Sequence, residues 1–198
     1  VDPQSNQELE INNGRIVMAT IKSVQPGRKG QPGEKLGILE SQKTIGSINK
    51  NGRYGIYGNL AGNLPLSLKA ETIPVAWQNQ VYEGPATMLT VVKDDEIESF
   101  AVQVEKIMPN RSDGKGMVIR VTDPRLLQIT GGIIQGMSGS PLIQDGRLIG
   151  AVTHVFVNDP TKGYALLAEH MLPEIFQLPR NISSVRSFTS GRTFFIQV

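Results

Sequence analysis

Short apolar and β-branched runs separated by Gly, Pro, Asn and Asp leave little room for anything but strands. They are RIVMATIKSV (15–24), KLGILE (35–40), YGIYGNL (54–60), LSLKAETIPVA (66–76), TMLTVV (87–92), SFAVQVEKIM (99–108), GMVIRVTD (116–123), SPLIQ (140–144), RLIGAVTHVFV (147–157) and GYALLAE (163–169). So many short segments bounded by turn residues predict an all-β sandwich or a pair of barrels. Asn12-Asn13-Gly14, Asn51-Gly52 and Asp145-Gly146 are candidate tight turns needing positive φ, and alternating apolar residues flank the last on both sides. A helix is expected only within ALLAEHMLPEIFQ (165–177), where Pro173 either breaks it or begins its second half. The same stretch also reads as a strand followed by a short helix.

With 198 residues, 39% of them hydrophobic, the chain can bury a proper core without covalent staples. It has no cysteine, which rules out a disulfide framework, a thiol nucleophile and a Cys-based zinc site. The 20 basic and 18 acidic residues are interspersed and give a net charge of +2, so nothing electrostatic points to nucleic acid or an anionic membrane. The densest basic stretch, PGRKGQPGEK with Arg28, Lys29 and Lys35, lacks the residue order of a P-loop and reads as a solvated loop. No apolar run is long enough for a membrane span. The chain begins with Val, and the expectation is a processed product or a cut piece with sequence upstream of it.

Residues 131–159, GGIIQGMSGSPLIQDGRLIGAVTHVFVND, concentrate more conformational freedom than a connection requires. A serine hydroxyl becomes a nucleophile only when a base takes its proton and donors stabilise the oxyanion formed on attack. Gly136 and Gly139 on either side of Ser138 permit a turn that exposes the hydroxyl and aims the amides of Gly136 and Ser138 at one point. The competing reading is a Gly/Ser-rich β-turn whose hydroxyl caps a backbone group. Asp123, fifteen positions before Ser138, is either the carboxylate that orients a base or an ordinary Asp-Pro turn ending a strand.

Gly136-Met-Ser138-Gly-Ser-Pro141, followed by a strand, Asp-Gly and Arg-Leu-Ile-Gly150-Ala-Val-Thr153, is similar to the nucleophile region of chymotrypsin-like serine proteases. GGIIQGMSGSPLIQDGRLIGAVTHVFVNDPTKGYALLAEHML, PGRKGQPGEKLG and KTIGSINKNGRYGIYGNL more specifically resemble the SpoIVB peptidases, self-cleaving serine proteases of spore-forming bacteria, over roughly residues 1 to 172. The resemblance implies a chymotrypsin-like double β-barrel, here with a short C-terminal helix; the peptidase domain is read over 1–178, lacking its first strands, and the tail over 179–198, without a counterpart in the family, reads as an extended strand. It makes Ser138 the nucleophile and Asp123 the carboxylate, with the Gly136 and Ser138 amides as the oxyanion hole. Thr153, His154 and Val155 fall on the strand lining the substrate cleft.

In that family the catalytic histidine belongs to a Gly-His motif just ahead of the segment that begins this chain, so the base is expected upstream of Val1. Of the two histidines present, His154 reads as a subsite wall and His170 as partly buried structure. No cofactor or metal is implied. The substrates implied are peptides, including the chain itself and a regulator of an intramembrane protease that processes a sigma factor. The place implied is the space between the forespore and mother-cell membranes. The alternative is a catalytically inert protease fold that binds a peptide or partner protein.

Overall fold

Asp145 and Gly146 adopt φ values of 50° and 70°, so both central residues of a two-residue turn are left-handed. Gln144 therefore pairs with Arg147, and the flanking strands run on as a hairpin with the twist such turns favour. The computed structural model describes residues 14–61, 72–111, 113–176 and 195–197. Within them β1 (Gly14–Gln25), β2 (Glu34–Gly52), β3 (Gly55–Leu60), β4 (Thr72–Pro74), β5 (Gly84–Val91), β6 (Ile97–Ile107) and β7 (Met117–Val121) precede a short helix, α1 (Pro124–Thr130). The hairpin strands β8 (Pro141–Gln144) and β9 (Arg147–Phe156) follow, then β10 (Asp159–Leu167), α2 (Leu172–Phe176) and β11 (Phe195–Gln197).

The all-β expectation holds. Six strands close into a barrel in the order β10-β7-β6-β5-β8-β9. Alternation along each strand sends one set of side chains inward: Met117, Ile119 and Val121 of β7 are buried while Val118 and Arg120 between them are not. Met88, Phe100, Val104, Leu142 and Ile149 fill the same interior. The closed barrel abolishes open edges and gives the loops at its ends a rigid mount.

The second unit is an open three-stranded sheet, β1-β2-β3, among the described residues. β2 is far longer than KLGILE alone suggests. It pairs with β1 from Glu34 to Ile48 and with β3 from Gly46 to Gly52, so pairing on both sides extends it through the polar run ESQKTIGSIN. The turn expected at Asn51-Gly52 instead lies at Arg53-Tyr54, because Gly52 pairs with Gly55 and stays in the ladder. Asn12-Asn13 and most of LSLKAETIPVA lie outside the described residues.

At the C-terminal end, β10 runs to Leu167, a 3-10 turn covers Ala168–Met171, and α2 follows. This is the strand-then-helix version of the two expectations for this stretch. Pro173 sits in the first turn of α2, where its missing N–H costs no hydrogen bond. In the tail, β11 pairs antiparallel with β4, and β4 leads into the barrel through the bond from Ala76 N to Leu148 O at 2.9 Å. No helix among the described residues is long and apolar enough to cross a membrane.

Candidate active site

The segment from β7 to β8 is held at both ends before it reaches Ser138. Asp123 caps α1: its Oδ1 accepts from Arg125 N at 2.9 Å and Leu126 N at 3.2 Å, and Oδ2 accepts from Ala101 N at 3.3 Å. Pro124 occupies the first helical position, and Gly131 at φ 71° ends the helix with its amide bonded to Leu127 O. Gly132, at φ 137°, then passes so close to Pro160 that an added Cβ would sit 2.1 Å from the Pro160 carbonyl oxygen. That approach allows Ile133 N to donate to Pro160 O at 2.7 Å and buries Ile133 and Ile134 in the barrel core.

The turn itself follows. Gly136 and Gly139 take φ values of 89° and 90°, a conformation that side chains strain against. Met137, fully buried, anchors the turn in the core while Ser138 on its other face is exposed. Met137 N donates to Ile134 O, Gly139 N to Val152 O and Ser140 N to Met137 O. The two amides between and before them, those of Gly136 and Ser138, donate to no acceptor among the described residues. Two undonated amides flanking one engaged amide at an exposed serine have the arrangement of an oxyanion hole. The Ser138 hydroxyl donates to Thr153 O of β9 at 3.1 Å.

The structure thus brings Gly136, Ser138 and Thr153 together. Asp123 stands at the other end of α1, with its carboxylate turned onto the two amides that start the helix and the Ala101 amide of β6, and no histidine bonded to it. Burial disfavours its charge, but the amides of Ala101, Leu126 and Arg125 and the Arg125 guanidinium outweigh that and hold the carboxyl below the usual range. Neither His154 nor His170 hydrogen-bonds Ser138.

The SpoIVB peptidase S55 family model matches residues 1–172. The chain belongs to the SpoIVB peptidase S55 family. A search of curated proteins found no match to this chain. Among solved structures, the active form of the Rv3671c protease from M. tuberculosis overlaps 82% of this chain and 83% of that one, at 14% identity and a TM-score of 0.40. So slight a likeness supports no inference about this chain.

In this S55 peptidase β9 carries the other residues expected to line the cleft. Thr153 Oγ1 donates to Gly114 O at 2.7 Å, which fixes the carbonyl that receives the Ser138 hydroxyl. His154 is exposed opposite Tyr164 of β10. Its imidazole is held below the ordinary pKa by partial desolvation and by Lys115, against the pull of Asp113, so it is neutral near pH 7. Val155 turns inward onto the core. His170 is half-buried with its ring 5.9 Å from that of Tyr54, in keeping with a structural role.

PGRKGQPGEK is not the solvated loop its composition suggests. Arg28 and Lys29 are solvated, but Gly27 and Gly33 are buried against the segment that leads to Ser138. Gly27 N donates to Thr130 O at 2.8 Å, Gln135 N to Gly33 O at 2.8 Å, and Lys35 N to Gln135 O at 3.0 Å. The stem of Lys35 lies along Gly136, 3.2 to 3.4 Å from where a Cβ would stand. The two closely spaced glycines were the available signal, since a loop that only contacts water has no need of backbone close approach.

Proposed function

We propose that this S55 peptidase is a serine endopeptidase that works through an acyl-enzyme at Ser138. The observation that carries the reading is the pair of undonated amides, Gly136 and Ser138, beside an exposed serine hydroxyl in a turn held by left-handed glycines. In the reaction the Ser138 hydroxyl leaves Thr153 O, gives its proton to a histidine base and bonds to the peptide carbonyl carbon. The carbonyl oxygen takes the negative charge and accepts from the two amides. The base then returns the proton to the leaving amine as the C–N bond breaks, and water releases the acyl group by the same steps. Family resemblance assigns that base to the Gly-His motif and Asp123 to its carboxylate. Thr153 and His154 line the cleft.

Family membership also supports the biological reading: self-cleavage, and cleavage of a regulator that activates an intramembrane protease controlling sigma-factor processing, in the space between forespore and mother-cell membranes. The inert, peptide-binding alternative is favoured by one observation, that the Ser138 hydroxyl is bonded to a carbonyl and not to a base.

Labelling with a fluorophosphonate separates the two. Covalent label on the protein extended upstream through the Gly-His motif, and none on its Ser138→Ala variant, is the expected result. Equal labelling of both proteins, or none on either, would replace the protease reading with the inert one.

A further inference from the structure

Beside the nucleophile turn, between β1 and the barrel, lies a cavity of about 510 Å³. Ile21, Leu89, Val91, Ile97 and Pro141 give it apolar walls, and the turn contributes Gly136, Gly139 and Ser140. A single charged residue lines it, Lys35. Lys35 Nζ donates to Thr90 Oγ1 at 2.7 Å, and the buried Ser140 hydroxyl donates to the same oxygen at 3.0 Å.

No carboxylate among the described residues pairs with Lys35, whereas Lys43, Lys50 and Lys162 each face a glutamate. A half-buried ammonium in an apolar cavity without an anion is costly, and desolvation pushes its pKa down to about 8. At pH 7 it still carries its proton about ten times out of eleven. The site is therefore a positive charge, poorly solvated, walled by hydrocarbon and open beside a candidate nucleophile.

We propose that this cavity is a specificity pocket for a peptide bearing a glutamate or aspartate near the scissile bond, whose carboxylate meets the Lys35 ammonium. The inference rests on the protease reading for its position and on charge complementarity for its occupant. The side-chain methylenes of a glutamate suit the apolar walls, and its carboxylate restores the partner that Lys35 lacks. Because the Lys35 stem lies along Gly136, the substrate's charge and the oxyanion turn are read by one side chain.

The test is peptide binding to the Ser138→Ala chain, which leaves peptides intact. Six hexapeptides of alanine and leucine, each with one glutamate at a different position and an uncharged dansyl label at the N-terminus, are compared by anisotropy with glutamine counterparts. All are C-terminally amidated, so the side chain supplies the sole carboxylate. At one position the glutamate peptide should bind about tenfold more tightly than its glutamine twin, the ordinary worth of one charge-assisted bond. Adding Lys35→Met, which keeps the stem against Gly136, should remove the difference, and Lys35→Glu should transfer the preference to a lysine peptide.

Indistinguishable glutamate and glutamine peptides at all six positions would overturn the proposal, as would no binding at all or a preference that survives Lys35→Met. The protease reading stands or falls separately. A chain that labels at Ser138 without a glutamate preference loses the pocket alone, and one that binds glutamate through Lys35 without labelling loses the catalysis alone.

Discussion

Replacing Asp123 by alanine and by asparagine separates two jobs that one carboxylate could hold. In the structure Asp123 accepts from Arg125 N, Leu126 N and Ala101 N at 2.9, 3.2 and 3.3 Å. Alanine removes all three bonds. Losing an N-cap costs about 1 kcal/mol, and freeing the Ala101 amide that ties β6 to the start of α1 adds about 1 kcal/mol more. A loss of about 2 kcal/mol lowers Tm by about 4 to 8 °C for a chain of this size. Asparagine caps a helix as well as aspartate does, but its NH2 cannot accept from Ala101 N, so Asp123→Asn should keep the cap and lose about 1 kcal/mol.

The pH dependence carries a sign. The folded carboxyl is held below its usual range, so its contribution is complete above the ordinary aspartate pKa of 3.8 and is lost as pH falls through the lower folded value. The gap between wild type and Asp123→Ala should accordingly close in acid. Urea melts of the three proteins at pH 7 and below pH 4 check both statements. An Asp123→Ala protein as stable as the wild type at pH 7 would refute the capping argument. If Asp123→Asn melts above Asp123→Ala yet loses fluorophosphonate labelling, the carboxylate charge serves the nucleophile's base as well as the helix.

Gly132→Ala should cost about 2 kcal/mol or more, since a left-handed φ and a carbonyl oxygen 2.1 Å from the new Cβ must both be relieved. The same variant should slow labelling of Ser138, and unchanged stability and labelling would show that the Gly132–Pro160 approach does not set the turn. Glu105 accepts from Lys162 at 2.8 Å and also from Arg120, bonds that hold its carboxyl below the usual range. Glu105→Gln should therefore destabilise modestly, by under about 1 kcal/mol, above pH 4.5. That difference should disappear as pH falls through the folded value, and a difference that persists in acid would assign the effect to packing.

The barrel was legible because its strands carry their own punctuation: the Asp145-Gly146 turn and the alternation in MVIRV each specify pairing within a few residues. The nucleophile turn was legible for the same reason, since Gly136, Gly139 and Ser138 sit together in sequence. α1 was missed although Asp123-Pro124 and Gly131 are a cap, a first-turn proline and a terminating glycine in order, because GMVIRVTD before them reads so strongly as strand. The full span of β2 was hidden because polar residues enter a strand when neighbours on both sides supply its hydrogen bonds. Lys35 had no local signal. Its importance arises when the start of β2 meets the turn that carries Ser138.

That meeting makes the Gly27–Gly33 loop a condition for competence. The backbone that leads into Ser138 is held at two points by partners from elsewhere: Thr130 O by Gly27, and Gln135 by Gly33 and Lys35. A barrel formed without the sheet would keep the turn's own bonds to Ile134, Val152 and Pro160 but lose the ties at Thr130 and Gln135. Whatever pries the sheet from the barrel would therefore free the approach to Ser138 without touching the serine itself.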